Sequence, residues 1–385
     1  MLRWSIRRST NYPWWTDVAA FAGGIAVAGT LWASLHGGPG HPADPEEQAA
    51  VPPHTIEKPA EHAHPKSSAS PKTQDKPSEK KEKVSPAAPA AAWSDSVRVR
   101  VYLSGRGAVE TVPLETYVRG VVAAEMPLSF EPAALEAQAL AARTYIVRKL
   151  LNNDRTGVPA GGADTIDTQD NQVYRSEAEM DELKRTDPSL WSKANEAALR
   201  TKGQILVYDG QPIEALYFSS SNGFTENSEE VFPESVPYLR SVASPWDREE
   251  ASNWETTSEI SVRDFYGALG VQETAKLARA GAGSSIRIVD RTPGRRVKTL
   301  AVGGQEWTGE EVREKLGLRS AAFTLDLDKK TIVITSYGNG HGVGMSQWGA
   351  EGMAKEGYSA SQIVSYYYTG IKIEDASKLA GAAKL

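Results

Sequence analysis

Between Gly37 and Ala92 the chain is built of Pro, Ala, Ser, Glu and Lys, as in HPKSSASPKTQDKPSEKKEKVSPAAPAAA. Almost nothing in it can form a core. Such a composition cannot bury enough apolar surface to offset the entropy of ordering, so a disordered, semi-extended linker is expected. It confines folded structure to the residues after it, from about Val97, and isolates what comes before. His36, His41, His54, His62 and His64 lie in or beside it. Their loose spacing reads as a chance cluster rather than a metal site.

The isolated N-terminus reads as a membrane segment. Val18 to Leu35 carries no charge and is long enough to cross a bilayer. Arg3, Arg7 and Arg8 precede it, which favours a cytoplasmic N-terminus, and Trp14, Trp15 and Trp32 sit where an aromatic belt would lie. A signal peptide is the rival reading, since Ala26 to Ala28 resembles a cleavage site. Either way the remainder is expected outside the cytoplasm. The domain plan is a tail and single-pass anchor over 1–36, a linker over 37–96, a folded domain over 97–374 and a C-terminal tail over 375–385. The chain has 43 Lys+Arg against 49 Asp+Glu, a net charge of -6, which argues against a basic nucleic-acid binder. It has no cysteine, which excludes disulfides and thiolate metal sites.

The folded region reads as α+β. Val97, Val99, Val101 and Leu103 alternate as a half-buried strand, with a second strand near Val109. A helix from Leu114 and another opened by Pro132 follow. The second has a small face of Ala134, Gln138, Ala141 and Tyr145 that permits close packing. A long polar loop ends near Tyr174, the kind of connection that is often functional. A helix ending at Gly203 leads into a hairpin turned by Asp209-Gly210. Further hairpins cover SIRIVDRTPGRRVKTLAV and FTLDLDKKTIVITSYG. Ser261 is read as a helix cap, and Thr308/Glu311 and Ser359/Gln362 as capping boxes. Strands and helices mix without strict alternation, and no internal repeat is visible.

One acid stands out. In PLETYVRGVVAAEMP, Leu114, Tyr117, Val118, Val121 and Val122 form an apolar helical stripe, and Glu125 lies on that face. Pro127 disfavours helix at Met126, so Glu125 should occupy the last turn. Burial and the negative helix end both oppose its charge. Either Glu125 is half of an ion pair, with Arg119 or Arg143, or it is held protonated near neutral pH. A protonated carboxyl there could donate to a leaving oxygen, as glycosidases require.

Two loops add candidates. In YGNGHGVGMSQWGA, Gly338, Gly340, Gly342 and Gly344 alternate, a pattern that lets backbone approach a ligand closely. It matches neither a phosphate-binding loop nor a nucleophile elbow. A Ser–His hydrolase would have to use His341 with Ser346 or with Ser219 to Ser221; otherwise His341 is a packed loop residue. In YFSSSNGFTENSEEVF the hydroxyl and amide groups suit sugar hydroxyls, though such composition also marks exposed turns. Glu226, Glu229 and Glu230 could hold a hard cation, but without EF-hand spacing.

The blocks VRGVVAAEMP, ALEAQALAARTYIV, ALYFSSSNGFTENSEEVF, PYLRSVASPWD and GNGHGVGMSQWGAEGMA together resemble the stage II sporulation protein D family. The resemblance runs from Val118 to Ala354. It implies a peptidoglycan lytic transglycosylase of forespore engulfment, with Glu125 as catalytic acid. It also implies a membrane complex with a cell-wall amidase and a multi-spanning scaffold protein, and glycan strands stripped of stem peptides as substrate. Related domains occur in amidase enhancers, so non-catalytic glycan binding is the alternative. The sugar-facing set is expected among Arg143, Tyr145, Tyr217, Ser219, Ser220, Ser221, Asn222, Thr225, Glu226, Asn227, His341, Ser346 and Gln347. Many relatives carry a histidine before the serine run, and some a Cys/His zinc site. Here Phe218 stands there, so neither a metal nor a cofactor is expected.

Overall fold

The computed structural model describes residues 89–159, 161–272, 285–328, 330–379 and 381–385. The expected membrane segment and most of the linker lie outside them. Among the described residues no helix is long and apolar enough to cross a membrane.

The chain enters through α1 (Pro89–Ser96), then β1 (Arg98–Leu103) and β2 (Ala108–Pro113), an antiparallel hairpin. The linker was expected to reach residue 96, but α1 is packed onto the domain. Trp93 donates to the Ala382 carbonyl at 2.9 Å, and the Ser94 hydroxyl reaches Glu115. The C-terminal segment is likewise docked rather than free: Ala376 is buried and its N–H donates to Gly203 at 2.9 Å.

Helix α2 (Leu114–Glu125) buries Leu114, Tyr117, Val118, Val121 and Val122 completely. It stops where Pro127 requires, with Met126 extended at φ -121 and ψ 146. Helix α3 (Pro132–Leu151) opens on its proline, and its small residues let α2 and the later elements close around it. β3 (Thr165–Ile166) adds to β1 in parallel. α4 (Glu177–Thr186) was not foreseen, although Ser176 and Glu179 form a reciprocal capping box at its start. Next come α5 (Pro188–Arg200), β4 (Gln204–Tyr208), β5 (Gln211–Pro212) and β6 (Tyr217–Phe218). Asp209 and Gly210 both have positive φ, 48 and 72, as the hairpin turn demands.

A second core follows. α6 (Asp247–Glu250) leads to β7 (Glu255–Ser261), α7 (Val262–Leu269), β8 (Ile286–Arg291), β9 (Val297–Val302), β10 (Gln305–Thr308), α8 (Gly309–Leu316), β11 (Phe323–Leu327) and β12 (Thr331–Tyr337). Phe265, Leu300, Val312, Phe323 and Ile332 are at its centre. Its sheets, β10-β9-β8 and β11-β12-β7, are antiparallel. The chain then returns through β13 (Met345–Ser346), which pairs in parallel with β6, into α9 (Gln347–Lys355), α10 (Ala360–Tyr367) and β14 (Lys372–Asp375). The fold is α+β, with mostly antiparallel pairing.

Candidate active site

Glu125 ends α2 with part of its surface still accessible. Its Oε1 accepts two hydrogen bonds, from the Val173 N–H at 2.9 Å and the Tyr217 hydroxyl at 3.1 Å. Tyr217 accepts in turn from Gln172 Nε2 at 3.1 Å, and Gln172 Oε1 accepts from Tyr117 at 3.0 Å. Every donor in this chain points toward Glu125. Burial pushes the carboxyl up to about 7, while the Val173, Tyr217 and Gln347 groups pull the other way. Because Oε1 is occupied as an acceptor, the proton belongs on Oε2. No cation pairs with Glu125 among the described residues. Gln347, first in α9, is nearly buried beside the carboxyl, and its Nε2 makes no hydrogen bond of normal geometry.

Three local devices assemble these groups. A Cβ on Gly120 would meet the Tyr174 ring at 2.3 Å, so only glycine lets the end of the long loop lie on α2. That contact puts Val173 and Gln172 against the acid. The parallel pairing of Met345 with Tyr217 then sets Tyr217 on β6 near Gln347, the residue that follows β13. The third device is His341. Val343 N donates to its Nδ1 at 3.1 Å, so the neutral ring carries its proton on Nε2 and donates to the Tyr217 carbonyl at 3.1 Å. Burial and the Arg313 charge hold it down at about 4.

Much of the expected sugar-facing set is instead structural. Arg143 is fully buried and its Nη2 lies 2.6 Å from Glu115, so it presents no surface to a ligand and does not pair with Glu125. Burial alone would raise the Glu115 carboxyl, but Arg143 brings it below its usual value. Arg119 bonds Asn195 at 3.2 Å and lies over Trp191. Tyr145 sits under the Lys149 ammonium. Ser221 and Ser346 converge on buried Asp247, a hub the sequence reading missed. Ser221 N and Oγ donate to it at 2.7 and 2.9 Å, Ser244 Oγ at 2.5 Å, and Ser346 Oγ also donates. Ser219 gives its carbonyl to Trp348 N, and Ser220 pairs through its backbone with Asn339. A Ser–His pair is not assembled here: both His341 ring nitrogens are bonded to backbone, Ser221 and Ser346 bond Asp247, and Ser220 is buried.

The polar run after β6 is also internal bracing. Glu226 is fully buried, bonded to Thr292 Oγ1 and to Gly294 N at 3.1 Å, with Arg296 at 3.7 Å. Thr225 Oγ1 takes Val242 N at 2.8 Å, Asn227 Oδ1 takes Ser241 N at 2.8 Å, and Asn222 Nδ2 donates to Gly294 at 3.0 Å. Glu229 is held down at about 2 by Arg240, and Glu230 pairs with Lys298 at 2.9 Å. None of the three acids is left uncommitted. The glycines of the second loop admit close packing. A Cβ on Gly344 would strike the Leu216 carbonyl at 2.0 Å, and one on Gly340 would strike Phe218 at 2.8 Å. Among the described residues no group of three or more His, Asp or Glu could hold a metal.

The family profile described as Stage II sporulation protein matches residues 102–208, which carry Tyr117, Glu125, Gln172 and Val173. The chain is 44% identical over 281 residues to Stage II sporulation protein D of Bacillus subtilis, covering 73% of this chain and 80% of that one. It is 46% identical to Stage II sporulation protein D of Bacillus amyloliquefaciens, covering 73% and 79%. The Amidase enhancer of Bacillus subtilis is 30% identical over 66% of this chain and 39% of its own. The chain belongs to the stage II sporulation protein D family.

Proposed function

We propose that this protein is a lytic transglycosylase that cuts peptidoglycan glycan strands with Glu125 as its single acid and base. The observation that carries the reading is a carboxyl displaced to about 7 that accepts through Oε1 from Val173 and Tyr217, with no other carboxylate of the described residues among the groups that shift it. A hydrolase needs two carboxylates; a transglycosylase can work with one. Glu125 Oε2 gives its proton to the glycosidic oxygen as the bond from the anomeric carbon breaks. The carboxylate then takes the proton of the 6-hydroxyl on the same muramic acid residue. That oxygen bonds the anomeric carbon, closing a 1,6-anhydro ring and restoring the acid. The attacking group is part of the substrate, so its effective concentration is high and no water need be positioned.

The two donors on Oε1 stabilise the transient carboxylate, while burial protects the proton before the reaction. An acid poised near the working pH serves both half-reactions. Gln347, beside the carboxyl, also favours its ionised form. The same reading places the domain outside the cytoplasm on an N-terminal anchor, acting in sporulation beside a cell-wall amidase and a membrane scaffold, on peptide-stripped strands. The likeness to an amidase enhancer favours a second reading, glycan binding that stimulates an amidase.

Mass spectrometry of purified glycan strands after incubation with the protein separates the two. Products ending in 1,6-anhydro-muramic acid are expected. Reducing muramic ends would replace the mechanism with hydrolysis. Intact strands together with a stimulated amidase would replace it with the binding role.

A further inference from the structure

The second core carries a pocket of about 320 Å³ that the catalytic site does not use. Asn222, Trp254, Arg291, Arg295 and Tyr337 line it, and among the described residues no carboxylate does. On a chain of net charge -6 this is a local reversal of sign. Trp254 and Tyr337 form an aromatic wall, ring centroids 5.2 Å apart. Arg291 donates to the Arg295 and Phe323 carbonyls at 3.0 Å each, which fixes its guanidinium. Arg295 lies flat over Phe224, 4.0 Å from the ring centroid. Asn222 spends its amide nitrogen on Gly294, and its Oδ1 is buried without a donor.

The turn between β8 and β9 sets where Arg295 stands. Arg295 has φ 63, a conformation L side chains rarely adopt. Strain of this kind persists only where the surroundings over-determine it. Buried Glu226 does so, binding Thr292 on one side of Arg295 and Gly294 and Arg296 at the turn itself. The polar block after β6 thus holds Arg295 at the pocket mouth.

The geometry points to this pocket as a subsite for a carboxylate-bearing sugar. The aromatic wall takes a pyranose face, and the Arg291 and Arg295 guanidinium groups take the carboxylate. The inference rests on the glycan reading above for its ligand class. From Tyr217 at the acid to Asn222 at the pocket is five residues, at most about 18 Å of extended chain. A short oligosaccharide can reach both.

The test is saturation-transfer NMR titration of the full chain with N-acetylmuramic acid and with N-acetylglucosamine, which lacks the carboxylate. Muramic acid is expected to bind roughly tenfold tighter or more, as charge-assisted hydrogen bonds imply. Arg295→Gly keeps the backbone conformation and removes the guanidinium, so it should erase that preference while the protein stays folded. Glu125→Gln should retain the preference, which separates this binding from the cleavage reading, while Arg295→Gly locates it at this pocket. Equal binding of the two sugars, indifference to Arg295→Gly, or equal displacement by inorganic phosphate would overturn the proposal.

Discussion

Replacing Glu125 by Gln should make the protein more stable as it makes it inactive. Glu125 is displaced from 4.5 to about 7 because burial disfavours its charge. With a folded value above the unfolded one, folding favours the protonated form. The stability is intact below about 4.5 and is lost as pH rises through about 7. At 1.36 kcal/mol per pH unit, the displacement corresponds to roughly 3 kcal/mol. Accessible surface on Glu125 lets water screen part of this, so a gain of roughly 2–3 kcal/mol is expected for Glu125→Gln above neutral pH. Gln keeps an Oε1 for Val173 and Tyr217 and cannot ionise. The measurement is urea unfolding of both proteins at about pH 4 and about pH 8, with glycan cleavage on the same preparations. The two should match within about 1 kcal/mol in acid and diverge in base, with cleavage down roughly 10²–10⁴-fold. A Gln variant less stable by roughly 3–5 kcal/mol at both pH values would mean that Glu125 is half of a buried ion pair. That result would refute the argument, and so would wild-type cleavage by a well-folded Gln variant.

Four further outcomes follow from the same contacts. Tyr217→Phe removes a donor that favours the carboxylate, so the fall in cleavage at high pH should move up by roughly one to two pH units; an unmoved limb would remove Tyr217 from the site. Arg143→Met strands the buried Glu115 carboxylate and should cost roughly 3–5 kcal/mol, while cleavage per folded molecule stays at wild-type level; intact stability would contradict the pairing. Asp247→Asn leaves serine donors in competition for fewer acceptors, at about 1–3 kcal/mol for each one stranded, measured by thermal melting. Cleavage should persist in strong chelator, and a loss reversed by zinc or calcium would overturn the metal-free reading.

Local features of the site were legible in the sequence. An apolar stripe and Pro127 fix where α2 stops, so Glu125 at a buried helix end could be read directly. The capping boxes at Thr308 and Ser359 and the Asp209-Gly210 turn are likewise contained within a few residues. The Ser176 box had the same form and was passed over, so α4 was a missed signal rather than a hidden one. What Glu125 touches was not readable. Val173 and Gln172 reach it because Gly120 admits the loop onto α2, and Gln347 arrives through the pairing of β13 with β6. The choice between ion pair and poised acid was also tertiary. Arg143 lies within reach on paper, yet packing turns it to Glu115. Glu226 looks like a surface acid beside polar neighbours, but it is sealed against Arg296. Helix stops and turns depend on steric and hydrogen-bonding choices among near neighbours, which sequence records. The partner of a buried charge depends on which distant segments exclude water from it, and only the folded chain decides that.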